Sequence, residues 1–209
     1  LFRSNMTFLG PKVFDANFQN TTDYLDGGKM NPGNGSSTGR FQAGMHLRRN
    51  TRLNCYNSVV AGWPIGLILD SEKGNTQKAA TDGLLQLHRI VFAGTDLTGS
   101  DFNKVYKDEL YDYKTKTTDP SKKSFSSTFF LLPANGNKVV DQWVARSWQG
   151  IQSIIAASTS VGGALQGSFA ELQSNNWFDK SATFVGAFRD ASDDWTAGWA
   201  NFDPENTIY

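Results

Sequence analysis

Apolar and polar residues alternate most regularly between His46 and Gly74, HLRRNTRLNCYNSVVAGWPIGLILDSEKG. Two strand-like runs stand out there, Leu53–Ala61 and Ile65–Leu69. Gly62-Trp63-Pro64 separates them and Asp70-Ser71-Glu72-Lys73-Gly74 closes the second. Such residues punctuate strands, since Gly accepts left-handed backbone and Pro lacks a ladder donor. The unit recurs in diverged form. Aligned on Gly10, Gly62, Gly94 and Gly186, the segments RSNMTFLG, CYNSVVAG, LHRIVFAG and DKSATFVG superpose. Two residues before each glycine stands a bulky apolar residue, Phe8, Val60, Phe92 or Phe184; four before it stand Met6, Ser58, Ile90 and Ala182. That period of two marks a strand with one buried face. Five before it come Asn5, Asn57, Arg89 and Ser181, mostly polar, where the chain is expected to enter the strand from a turn. Such repeats suggest the coils of a solenoid, stacked in parallel around a shared column of Phe and Val side chains, with insertions confined to loops.

The rest of the pattern is read around that unit. Leu1–Gly10 reads as one strand ended by Pro11, which cannot donate to a ladder. Asp15–Ser37 is a turn-rich excursion in which Asp15, Asp23, Asp26, Asn31 and Asn34 offer oxygen atoms to a calcium ion. Their spacing matches no Asp-x-Asp loop, which favours a plain solvated loop over a metal site. Thr81–Leu97 forms the next coil. Residues 101–175 read as an irregular and helical insertion. Within it, Asp101–Lys123 interleaves Tyr106, Tyr111 and Tyr113 with Lys and Asp, and Lys138–Ser158 carries Val139, Val140, Trp143, Val144, Trp148, Ile151, Ile154 and Ile155 at the helical period. The latter predicts an amphipathic helix lying against the coils. Ser168-Phe169-Ala170-Glu171 reads as a capping box opening a short helix to about Asn175, and Thr183–Phe188 as a closing strand before an aromatic tail.

Candidate chemistry is sparse. If Leu47, Leu53 and Cys55 face inward, Arg48, Arg52 and Tyr56 project outward as candidate ligand-binding residues, while Arg49 shares the core's parity. An inward guanidinium requires a partner, and Asp70 is the expected one. Two readings of this cluster compete: an ion-pair layer within the fold, which is favoured, and a grip on an acidic sugar. His88 has no neighbouring Ser, Cys or second His to form a triad, and two His in the whole chain argue against a zinc site built on imidazoles. Cys55, the single cysteine, excludes an intrachain disulfide and reads as a buried, inert thiol. In the tail, Trp195 and Trp199 are candidate sugar-stacking residues, with Asp190, Asp193 and Asp194 as acceptors or calcium ligands. The favoured reading makes this tail, with Phe202, an apolar cap over the last coil. Asn57, Gly62, Gly94 and Gly186 are assigned structural roles.

Composition narrows the classes. Equal numbers of basic and acidic residues, 20 of each, argue against nucleic acid or an acidic membrane as the main partner. No apolar run approaches a transmembrane length. The run HLRRNTRLNCYNSVVAGWPIGLILD and the ending FVGAFRDASDDWTAGWANFDPENTIY resemble the C-terminal half of a group of secreted or surface-anchored parallel β-helix proteins of Bacteroidota. There a motif of the kind HLRRNTRLSIFNSVFAGFPTGLLID precedes a terminal GAF…NWTxGWxNFDPxNxxY. Matching residues include His46, Arg48, Arg49, Arg52, Asn57, Gly62, Pro64 and Asp70, then Gly186, Trp195, Trp199, Phe202 and Tyr209. The resemblance is dense over Ala43–Ala93 and Ser181–Tyr209 and weak over Thr95–Asn175. It implies an all-β fold, a right-handed parallel β-helix fragment in one domain spanning 1–209, with long loop insertions, one or two short helices and a C-terminal aromatic cap.

A coil opening at Leu1 further implies preceding coils, from the same precursor or another chain, to cover its unpaired edge. The family carries no established activity. The expected function is a non-catalytic extracellular or outer-membrane-associated protein that binds glycan or protein through its loops, as an accessory subunit of an outer-membrane complex. The alternatives are a polysaccharide lyase or glycosidase, for which no paired-carboxylate motif is present, and a structural surface-layer or adhesion component. No cofactor is expected beyond the weak calcium reading.

Overall fold

A computed structural model of the chain describes residues 1–13, 43–95, 97–101, 111–112, 117–118, 123–141, 143, 150–202 and 204. The Asp15–Ser37 excursion with its five oxygen-bearing residues, Tyr106, Tyr113, Val144, Trp148 and Tyr209 lie outside the described residues. Two parallel sheets form the frame. In the first, β1 (Phe2–Ser4) and β2 (Thr7–Leu9) both pair with β4 (Asn54–Ala61), which pairs with β6 (Gln86–Ala93), which pairs with β10 (Lys138–Val140). The second runs β3 (Ala43–Leu47), β5 (Ile65–Leu69) and β7 (Leu97–Ser100). A short antiparallel pair, β8 (Tyr111–Asp112) with β9 (Thr117–Thr118), stands apart.

Three of the four glycine-ended segments pair in parallel and in the expected register. Phe8 lies opposite Val60 and Val60 opposite Phe92. The fourth member of that row is Val139 of β10 rather than Phe184. Asp179–Gly186 forms no strand; it crosses the outer face of the first sheet, where the Gly186 N–H donates to the Asn57 carbonyl at 2.9 Å. The strand position beside β6 is already filled by the β-branched Val139 and Val140, so Phe184 has no ladder to join.

The all-β, right-handed β-helix expectation is therefore corrected. Among the described residues the content is mixed α/β, two parallel sheets with three helices, and a solenoid is not what these show. The helices are α1 (Thr76–Thr81), α2 (Phe125–Phe130) and α3 (Ile151–Gly162). α1 carries the chain from β5 to β6, and α2 lies between β7 and β10 in the chain order. Neither was legible as helix, because each is only six residues long, below the span on which a 3.6-residue period is readable. α2 owes its start to two caps. The Ser124 hydroxyl accepts the Ser127 N–H at 2.9 Å, and the Asp101 carboxylate accepts those of Phe125 and Ser126 at 2.9 and 3.1 Å.

Other boundaries shift for similarly local reasons. Of the helix expected over Lys138–Ser158, 138–140 is a strand, 142 and 144–149 lie outside the described residues, and a helix begins at Ile151, after Gly150 in left-handed backbone (φ 74°), and runs on to Gly162. The Ser168–Glu171 capping box yields one 3-10 turn, Ala170–Leu172. The Ser168 hydroxyl does accept the Ala170 N–H, at 3.1 Å, but Glu171 is engaged elsewhere by Arg89. Leu1–Gly10 is two strands, broken at Asn5.

Asn5, Asn57 and Arg89 all adopt left-handed backbone, at φ 51°, 48° and 55°. Sequence spacing placed them at the entrance to a strand; Asn57 and Arg89 lie inside β4 and β6, and Asn5 beside them in the break between β1 and β2. One residue in this conformation acts as a bulge and flips the side-chain alternation. Cys55 and Leu87 face the inner core before the bend, and Val60 and Phe92 face it after, although their parity differs. Between the sheets lie Leu67, Leu69, Leu87, Phe92 and Phe130, the last two rings stacked at 3.9 Å. On the outer face, Val59, Ala61, Val91 and Ala93 meet Ile154, Ile155 and Val161 of α3, with Val185 and Phe188 beside them. At the corner after β6, Gly94 takes φ 59°, and a Cβ there would fall 1.7 Å from the Trp143 ring, so both backbone and space demand glycine.

Candidate functional site

Among the described residues, the bend row organises the most connected polar network. Because the left-handed residue turns its side chain out of the core, Asn5, Asn57 and Arg89 all reach the segment crossing the sheet. Asn5 Nδ2 donates to the carbonyls of Ala182 (3.1 Å) and Phe184 (2.5 Å). The buried Asn57 Oδ1 accepts the Ser168 N–H at 3.0 Å and Arg89 Nε at 3.2 Å. Arg89 Nε also donates to the Ser168 carbonyl at 2.9 Å, and its guanidinium forks onto Glu171, with Nη1 to Oε1 at 2.9 Å and Nη2 to Oε2.

On the same outer face, Phe2, Tyr56 and His88 stack in a row, with ring centroids 5.5 and 5.2 Å apart. The His88 Nδ1 lies 3.7 Å from Glu171 but is buried without a hydrogen-bond partner.

These groups are tied into the structure rather than poised for chemistry. Burial, with Glu171 nearby, pushes the Tyr56 hydroxyl up to about 12, and burial pushes the Cys55 thiol up to about 11. Both stay protonated at neutral pH, so neither supplies a base or a thiolate nucleophile. Glu171 is held below its ordinary value by the Arg89 hydrogen bonds and remains a carboxylate. His88 is held below its ordinary value chiefly by burial, with Arg89 acting in the same sense against Glu171, so the imidazole is neutral and its contact with Glu171 is not an ion pair. Tyr56, expected as an outward ligand-binding residue, is wholly buried, its hydroxyl spent on Gln86 Oε1. The side chain does point outward, but the Phe169 ring lies over it, with centroids 6.1 Å apart.

The second cluster sits at the corner between β3 and β4. Asp70, with its side chain 2% exposed, accepts from His46 Nε2 at 3.1 Å and from the Glu72 N–H at 2.8 Å, and lies 3.8 Å from Arg48 Nε. The expected Arg49–Asp70 pair is absent. Arg49 is exposed, because left-handed backbone at Arg49 (φ 54°) and Asn50 (φ 65°) turns the chain before its side chain can follow the inward parity of Leu47. Arg52 is also exposed.

The third cluster is the tail. Trp195 and Trp199 are 52% and 69% exposed, with rings 5.5 Å apart and inclined at 34°. Each indole N–H is spent internally, Trp195 Nε1 on the Ala187 carbonyl at 2.7 Å and Trp199 Nε1 on the Trp195 carbonyl at 2.9 Å. Phe188 backs Trp195 at 6.1 Å. The neighbouring acids brace this loop: Asp190 Oδ1 accepts from the Ser192 N–H and hydroxyl, Asp193 from the Arg189 N–H, and Asp194 from the Thr196 hydroxyl. Those Ser192 bonds hold the Asp190 carboxyl below its ordinary value. Phe202, expected as part of an apolar cap, is 44% exposed.

The fold keeps the two exposed clusters apart. Arg48 and Arg52 precede β4, whereas the tail is anchored over its far end, where the Ala187 N–H donates to Thr7 Oγ1 and Thr7 pairs with Val59. Sequence reasoning missed Asn5, Ser168 and Glu171 as partners of the bend row, although the alignment of Asn5, Asn57 and Arg89 was the signal. Among the described residues, no group of three or more His, Cys, Asp or Glu is placed to hold a metal ion, and no helix is long and apolar enough to cross a membrane. No family model, curated protein or solved structure matches the chain.

Proposed function

We propose that this protein is a non-catalytic recognition protein of the cell surface or outer membrane that binds glycan on the ledge formed by Trp195 and Trp199. The observation that carries the reading is that both indoles are more than half exposed while their N–H donors are satisfied within the tail. Fixed rings with free faces suit the apolar C–H face of a sugar, and little rotamer entropy is lost when they bind. The flanking carboxylates, engaged in bracing the loop, retain lone pairs to accept sugar hydroxyls. The resemblance of His46–Asp70 and of the tail to surface proteins of Bacteroidota supports the location, and an accessory role in an outer-membrane complex fits it.

A panel of neutral oligosaccharides assayed by calorimetry and tryptophan fluorescence tests the reading. Trp195→Ala and Trp199→Ala are each expected to weaken binding by about 2 kcal/mol, roughly 30-fold. A correctly folded double variant that binds as the parent does refutes it, as does a parent that binds no member of the panel at millimolar concentration.

A further inference from the structure

We infer that the corner between β3 and β4 is an anion-binding site, built by Arg48, Arg49 and Arg52 for the carboxylate or sulfate groups of an acidic polysaccharide. The chain carries no net charge, yet residues 46–53 hold these three arginines and no acid. All three are exposed. Asp70 offsets only part of this charge: its carboxylate is 2% exposed, already bonded to His46 and the Glu72 amide, and 3.8 Å from Arg48. It orients Arg48, while Arg49 and Arg52 form no ion pair among the described residues.

The backbone supplies a second argument. Arg49 is left-handed, a conformation that Gly or Asn reaches at lower cost than Arg. A turn alone would therefore be made more cheaply by another residue, and strained non-glycine residues concentrate at ligand sites. The turn is braced: the Asn50 N–H donates to Thr76 Oγ1 at 3.1 Å, the Thr51 N–H to the Arg48 carbonyl at 3.2 Å, and Gly74 packs so closely that a Cβ would sit 3.1 Å from Asn50 N. Planar guanidinium forks on a fixed turn match carboxylate and sulfate in bidentate geometry. Three of them on one corner suit successive anionic groups along a sugar chain, whereas nucleic acid calls for a broader basic surface than a neutral chain offers.

Isothermal titration with oligogalacturonate, a heparin-derived oligosaccharide and a neutral cello-oligosaccharide, at about 50 and 200 mM salt, tests the site. At least one acidic oligomer is expected to bind, more weakly at the higher salt. Arg49→Gly keeps the left-handed turn without the charge, so it is expected to fold at least as well as the parent and to lose about tenfold in affinity for the acidic oligomer; Arg52→Gln should do the same. The Trp195→Ala/Trp199→Ala variant should bind the acidic oligomer as the parent does, which separates this site from the aromatic ledge. Failure of the parent to bind either acidic oligomer, salt-independent binding, or unchanged affinity in the Arg49→Gly/Arg52→Gln double variant overturns the inference. Competition by single-stranded DNA or anionic vesicles at equal charge concentration overturns the assignment to a glycan.

Discussion

Glu171→Gln tests whether the tail is held to the first sheet through the bend row. The substitution preserves shape and one acceptor oxygen but removes the charge opposite Arg89. The Arg89 side chain is only 12% exposed and its Nε is committed to Asn57 and Ser168, so the guanidinium cannot swing into water. Breaking a fully buried pair costs about 3–5 kcal/mol. Glu171 is 33% exposed, so water replaces part of the loss, and the amide oxygen replaces another part. About 2 kcal/mol remains, which for a chain of 209 residues lowers Tm by about 4–8 °C. The damage is local first, because Asn5 still holds Ala182 and Phe184 and the Asn57 carbonyl still holds Gly186. Hydrogen exchange should therefore accelerate about 30-fold at the Ser168 amide, with little change at Val60 or Phe92 in the centre of the sheet. Calorimetry and exchange measured together decide the matter. A Tm within about 1 °C of the parent, with unchanged protection at Ser168, would show that this pair is worth no more than a solvated surface bridge.

Two further outcomes follow from the core and from titration. Phe130→Ala removes a wholly buried ring stacked 3.9 Å from Phe92, and denaturant unfolding should show a loss of about 3–5 kcal/mol, exceeding that of Glu171→Gln. Acid should destabilise the protein in two stages, since both network groups have folded values below their ordinary ones: stability conferred by neutral His88 is present above 6.5 and is lost as pH falls below it, and that conferred by ionised Glu171 is lost below 4.5. Denaturant midpoints measured from pH 7.5 downward should flatten in the upper stage in His88→Gln; an unchanged profile in that variant would refute the assignment.

How much of this was legible in the sequence depends on the length over which a residue's influence extends. The strands Ile65–Leu69 and, to within one residue, Leu53–Ala61 were readable because runs of five to nine strand-forming residues, bounded by turn residues, report their own environment. The register of Phe8, Val60 and Phe92 was readable because the glycines that end each segment are demanded by corner geometry. What failed were features set by distant partners. α2 begins where Asp101 caps it across 24 residues of chain. Phe184 has the apolar pattern of a strand residue, and only the presence of β10 beside β6 denies it a ladder. The mixed character of the fold lay hidden in two six-residue helices that no periodicity marks.

The candidate sites obey the same logic, with one instructive exception. Exposure of Trp195 and Trp199 could not be told from capping by composition, since an aromatic tail serves either end; it is seen only in the structure, where the rings are more than half exposed. Parity misassigned Arg49 because alternation presumes extended backbone at every step, and a single left-handed residue cancels one step; Tyr56 keeps its outward direction and is buried because Phe169 lies over it. For Asn5 and Asn57 that departure is written in the residue type, as asparagine tolerates the conformation. Arg89 gives no such sign on its own. It becomes readable only as the third member of an aligned row, because parallel strands in register place equivalent residues side by side and a bend in one ladder must be repeated in its neighbours. The row then presents three polar side chains to one crossing segment, so Ser168–Ala187 is fastened along its whole path without forming a strand of its own.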